Sequence, residues 1–208
     1  MHFFDDFSST AVGRKPPNWR STLDDTGASS VVTELKGLDG HWASMSGMHL
    51  TPTQMKAPLP RDFEASFDLV AAQNYTWGAH GLTFRLSGAP AAGTGESFLS
   101  LRIRPGFSGR DGDASIEAQF PGAQGYLNGG KVVAAPGFSN DAVNNRVTVM
   151  LRKKGDLLQV FIGRTKVAEY EKGMPAGLQF DAMSFELTGV SANDRMFIGN
   201  IRIASHDR

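Results

Sequence analysis

Apolar residues along this chain recur mostly with period two, in short runs separated by Gly, Pro, Asn and Asp. That alternation predicts β-strands buried on one face and turned to solvent on the other. The clearest runs are FEASFDLVA (63–71), HGLTFRLS (80–87), FLSLRIR (98–104), ASIEAQF (114–120), RVTVMLR (146–152), LLQVFIG (157–163), MSFELTG (183–189) and RMFIGNIRIA (195–204). Weaker strands are expected at SVVTEL (30–35), HWASMSG (41–47) and TKVAEYE (165–171), and no run of comparable clarity has the helical period. About a dozen strands with turn signals between them predict an all-β fold, a two-sheet antiparallel jelly-roll sandwich. Two longer loops are expected at 87–97 and 105–113, both rich in glycine.

The alternation also sorts residues by face. Leu99, Leu101 and Ile103 oppose Ser100, Arg102 and Arg104, while Leu82, Phe84 and Leu86 oppose Thr83 and Arg85. The same rule puts Glu64, Ser66 and Asp68 opposite Phe63, Ala65 and Phe67, and Glu117 and Gln119 opposite Ile116 and Ala118. If these four strands are neighbours in one sheet, its open face carries Glu64, Asp68, Arg85, Arg102, Arg104, Glu117 and Gln119.

With 208 residues and no internal repeat or linker, the chain reads as one domain over 1–208. It has no cysteine, which removes disulfides, thiolate metal sites and cysteine nucleophiles together. Basic and acidic residues balance at 21 each, so no global field favours nucleic acid or an anionic membrane as partner. No apolar run approaches the roughly 20 residues of a membrane-spanning helix, and the opening MHFFDDFSST lacks the basic start and apolar middle of a secretory signal.

Three stretches taken together carry a resemblance: FFDDFSSTAVGRKPPNW at the start, LPRDFEASFDL, and RVTVMLRKKGDLLQVFIGRTKV with SANDRMFIGNIRIA near the end. The combination resembles the concanavalin A-like lectin/glucanase superfamily, particularly bacterial cell-envelope domains that precede an OmpA-like peptidoglycan-binding domain. The resemblance implies that FFDDF and MFIGNIRIA pair in one sheet, that LLQVFIGRTKV forms a hairpin, and that the protein is periplasmic, outer-membrane-associated or extracellular. No OmpA-like domain follows Arg208, so an anchoring role is not expected of this chain unless the native protein continues.

Glucanases of that superfamily alternate acidic residues on one strand face, because retaining hydrolysis needs two carboxyls roughly 5–5.5 Å apart. The nearest match here is Glu64-Ala-Ser66-Phe-Asp68, which lacks the central Asp and spreads its ends over roughly 13 Å of strand. Histidines 2, 41, 49, 80 and 206 form no HExxH motif, and no GxSxG elbow or phosphate-binding loop is present. The expectation is therefore a non-catalytic module that binds a glycan or another cell-envelope component. Tyr75 and Trp77 would stack on a sugar ring while His80, Arg85, Arg102 and Arg104 select its polar groups. The alternatives are a glycoside hydrolase or polysaccharide lyase using Glu64, Asp68 and Glu117, and a structural module that binds protein. Hard oxygen donors suit a structural calcium ion, with Asp5, Asp6, Asn193 and Asp194 as candidate ligands near the paired termini, and Asp111 with Asp113 as a second cluster. Trp19 and Trp42 are expected to pack rather than bind.

Overall fold

A computed structural model describes residues 1–23, 30–73, 75, 81–90, 92–188 and 194–206. Its strands are β1 (Phe3–Asp5), β2 (Trp19–Leu23), β3 (Val32–Leu35), β4 (Leu38–Met45), β5 (Met48–Pro52), β6 (Phe63–Ala71), β7 (Leu82–Gly88), β8 (Ser97–Arg104), β9 (Gly112–Gln119), β10 (Gly129–Ala135), β11 (Asn145–Lys154), β12 (Leu157–Ile162), β13 (Thr165–Tyr170), β14 (Ala182–Leu187) and β15 (Met196–Ser205). No helix occurs among the described residues. The strands form two antiparallel sheets. One has eight strands in the order β13-β12-β11-β6-β15-β4-β3, with β1 also on β15; the other has seven, in the order β10-β9-β8-β7-β14-β5-β2. This is the two-sheet jelly-roll expected from the alternation.

The expected pairing of the ends is present, with Phe3 opposite Ile203 and Asp5 opposite Ile201. The hairpin in LLQVFIGRTKV is present too. Ile162 faces Thr165 across a two-residue turn whose first residue, Gly163, has φ +60°, a backbone conformation that side chains with a Cβ rarely adopt.

The core lies between the sheets, where the inward residues of both interdigitate. At its centre Phe67 of β6 meets Phe84 of β7 and Phe185 of β14, with ring centroids 5.1 and 5.0 Å away. Lys153 also points inward, opposite Phe63, and is 0% exposed. Its ammonium donates to the carbonyls of Arg61 (2.6 Å) and Ala176 (3.3 Å) and lies 3.6 Å from Asp62, so it ties two loops to the end of β11.

The condition under which Glu64 and Asp68 would share a face with the arginines is not met. β6 does not sit beside β7, β8 and β9; it pairs with β11 and β15 in the eight-stranded sheet. Glu64 and Asp68 do point away from the core, but on the opposite outer surface of the molecule from Arg85, Arg102, Arg104 and Glu117. That outer surface is itself partly covered. Asp68 is 8% exposed and Trp42, which packs against Gly199 where a Cβ would come 3.0 Å from its ring, is 1% exposed.

Candidate functional site

The outer side of the seven-stranded sheet follows from the register. Thr22, His49, Glu186, Thr83, Arg102, Ser115 and Val132 stand opposite one another in one row across all seven strands. The next row holds Ser184, Arg85, Ser100, Glu117 and Gly130, and the one beyond it Ala182, Ser87, Phe98 and Gln119. In the other direction Arg104 stands opposite Asp113 and then Ala134. The alternation that sends Leu82, Phe84, Leu99, Leu101, Ile103, Ala114 and Ile116 into the core sends these polar side chains out.

Most charges on this face are already engaged. The Arg85 guanidinium donates to Glu96 at 2.6 Å and lies 4.0 Å over the Phe98 ring. Arg104 makes a forked pair with Asp113, at 3.1 and 2.8 Å. Glu186 lies 3.4 Å from His49 Nδ1 and accepts from Thr188 at 3.0 Å. Arg102 is exposed and makes no ion pair or hydrogen bond among the described residues. At the Gln119 end the face opens into a depression of about 580 Å³ formed by residues 119–128.

The structure thus brings Arg85, Arg102 and Arg104 together as expected. Tyr75 is not with them. It is 3% exposed, a core residue, and burial pushes its phenol above the usual range, helped by the nearby Asp194 carboxylate. A ring enclosed in this way offers no stacking surface. Trp77 and His80 lie outside the described residues. Phe98, the first outward residue of its strand, is a half-buried aromatic on this face, and its apolar side chain at a polar position gives no signal in the sequence.

The carboxyls considered for catalysis do not converge. Glu64 accepts two hydrogen bonds from Arg152, at 3.0 and 3.2 Å, and Asp68 accepts from Thr148 (2.6 Å) and Asn200 (2.8 Å). Both are on the far side of the sandwich from Glu117, with a core of roughly 10 Å between the sheets. Sequence alternation could orient these carboxylates but not find their partners, which come from strands 80 or more residues away.

The candidate calcium ligands do not converge either. Asp5 accepts from the Phe7 amide (2.8 Å) and from Trp19 Nε1 (2.7 Å), so both its oxygens are taken up in packing the N-terminus. Asp6 caps a turn by accepting from the Ser8 amide and hydroxyl, which holds its carboxyl below the usual range. Asp194 is seven residues along the chain from Ile201, the partner of Asp5, which at strand rise is about 20 Å. Asn193 lies outside the described residues. In the second cluster, Asp111 accepts from the Gly137 amide and Asp113 binds Arg104. No group of three or more His, Asp or Glu suited to a metal ion occurs among the described residues.

No family model and no curated protein matches this chain in sequence. Solved structures do match in fold. The chain is similar to a glycoside hydrolase family 16 endo-glucanase from Bacteroides ovatus solved in complex with G4G3G-2F-DNP, at 15% identity and a TM-score of 0.58, over 98% of this chain and 100% of that one. It is similar to the β-glucanase of Bacillus licheniformis at 10% identity and a TM-score of 0.57, over 99% and 98%. A protein of unknown function with a galectin-like fold from Bacillus subtilis matches at 10% identity and a TM-score of 0.56, over 98% and 94%. The fold is that of the concanavalin A-like jelly-roll sandwiches.

Proposed function

We propose that this protein is a non-catalytic carbohydrate-binding module and that the outer face of its seven-stranded sheet is the binding surface. The observation that carries the reading is the row Thr22, His49, Glu186, Thr83, Arg102, Ser115 and Val132. It sets hydroxyl, imidazole, carboxylate and guanidinium groups about 4.8 Å apart across the sheet, a ladder of donors and acceptors suited to the hydroxyls of an extended sugar chain. The shared fold supports the carbohydrate part of this reading, since a solved neighbour of the same fold is an endo-glucanase in complex with G4G3G-2F-DNP. The likeness of the first and last strands to cell-envelope domains supports a bacterial envelope glycan as the ligand.

Two observations favour binding over the alternatives. Glu186 on β14 and Glu117 on β9 are three strands apart, about 14 Å. That exceeds the roughly 5–5.5 Å of a retaining pair and the roughly 6.5–9.5 Å of an inverting pair. Phe98 and Val132 are the large apolar side chains that the described rows present outward, too few for a protein-docking patch.

The test is isothermal titration with neutral and acidic oligosaccharides, paired with a reducing-end assay on the same polymers. Saturable binding without release of reducing ends is expected. Release of reducing ends that survives Glu186→Gln and Glu117→Gln would not rescue the proposal; any turnover by the wild type overturns its non-catalytic part, and absence of binding to every oligosaccharide overturns the rest.

A further inference from the structure

We infer that Arg102 makes this face selective for sugars bearing a single carboxylate, the uronic acids; the inference rests on the binding surface proposed above. Three arginines project from β7 and β8 on the same side, and two are already neutralised. Arg85 is held by Glu96 at 2.6 Å, and Arg104 is gripped at both ends of its fork by Asp113.

Arg102 differs because of what its strand neighbours are. Across the ladder it faces Thr83 on one side and Ser115 on the other, both hydroxyls, and its same-face neighbours along β8 are Ser100 and Arg104. None of these can accept its charge. Glu117 is in the adjacent row, opposite Ser100, and no bond joins it to Arg102. An exposed guanidinium therefore presents its planar donor fork outward, and that fork matches a carboxylate with two parallel hydrogen bonds. Thr83 and Ser115 flank it at strand spacing and can serve the hydroxyls next to the carboxylate on the same ring.

The surrounding charges set the class of anion. The described face and its rim carry Arg20, Arg85, Arg102 and Arg104 against Glu96, Asp113, Glu117 and Glu186. The formal charges balance, so a densely sulfated chain would meet repulsion from Glu117 and Glu186 with only Arg102 unneutralised at the centre. One carboxylate per ring among neutral hydroxyls suits Arg102, a free cation at the centre of the face with carboxylate acceptors to either side; Arg20, which also makes no ion pair among the described residues, stands apart on the edge strand β2.

The experiment is titration calorimetry of tetragalacturonate, of its carboxyl-reduced counterpart and of neutral gluco-oligosaccharides, against the wild type, Arg102→Gln, Arg102→Lys and the charge-matched control Arg164→Gln on the β12–β13 turn. The wild type should bind tetragalacturonate roughly 10- to 100-fold more tightly than the carboxyl-reduced form, the range expected of a hydrogen-bonded charge. Arg102→Gln should abolish that preference, so that the charged and carboxyl-reduced oligomers bind the variant with equal affinity, whatever that shared affinity is. Arg102→Lys should restore part of it, and Arg164→Gln should retain all of it. Equal wild-type affinity for charged and reduced oligomers, or a preference that persists in Arg102→Gln, overturns the uronate inference and leaves the carbohydrate-binding reading standing. Failure of every oligosaccharide, neutral ones included, overturns both.

Discussion

Asp5, a candidate calcium ligand by sequence, accepts two hydrogen bonds that hold the N-terminus in place, and its removal separates the two roles. Its carboxylate accepts from the Phe7 amide at 2.8 Å and from Trp19 Nε1 at 2.7 Å. Through Trp19 it joins β1 on the eight-stranded sheet to β2 on the seven-stranded one. The indole it fixes packs with Phe3, Phe7 and Phe185, at centroid distances of 5.9, 5.8 and 6.1 Å. In Asp5→Ala the Trp19 and Phe7 donors, both on buried residues, lose their acceptor. Hydrogen bonds to a charged group are worth about 1.5–3 kcal/mol each, and solvent can reach part of this site, so we expect a loss of about 2–4 kcal/mol. At this chain length each kcal/mol moves Tm by about 2–4 °C. Equilibrium urea unfolding at pH 7, with calcium and again with chelator, measures the loss. A double-mutant cycle with Trp19→Phe isolates the indole bond, for which a coupling of about 1–2 kcal/mol is expected. Stability of Asp5→Ala within about 0.5 kcal/mol of wild type would refute this reasoning. So would calcium that stabilises the wild type and not the variant, since that would return Asp5 to the role of ligand.

Other outcomes follow from the same packing. Burial lowers the Lys153 pKa from its ordinary 10.5, so over the pH range between the folded value and 10.5 the unfolded chain binds more protons and stability rises with pH. Lys153→Met should cost about 1–3 kcal/mol at pH 7 by stranding the Arg61 and Ala176 carbonyls, and urea unfolding should show the gap to wild type widening toward pH 10; a constant or narrowing gap would count against the assignment. Phe67→Ala should lose about 3–5 kcal/mol in the same assay, because both Phe84 and Phe185 are left facing the cavity; a loss below about 1 kcal/mol would mean that the core collapses to fill it. Asn200 sits at the β15 bulge with φ +49°, so Asn200→Val should destabilise more than Asn200→Gly, by about 1–2 kcal/mol, and the reverse order in thermal melts would exclude backbone strain as the cause.

What could be read along the chain and what could not divide by the range of the interaction. The period-two pattern of FEASFDLVA sets which side chains of β6 face the core, and Phe63, Ala65, Phe67 and Leu69 are all buried in it. The strands WRSTL, MHLTP and GGKVVAA were not read as such. The first two are only five residues long, too short for an alternation such as that of Met48 and Leu50 to stand out along the chain, and the third lies at a sheet edge where Val132 is 71% exposed and buries little. Which sheet β6 joins is a different kind of question, because it depends on pairing with β11 and β15, far along the chain. Glu64 and Asp68 were therefore oriented correctly and grouped wrongly: Arg152, Thr148 and Asn200 had already claimed them. On a sandwich whose outer positions are polar throughout, a charged residue becomes a candidate for binding only after these distant partners are subtracted. Of the three arginines grouped by alternation on β7 and β8, that subtraction removes Arg85 and Arg104 and leaves Arg102.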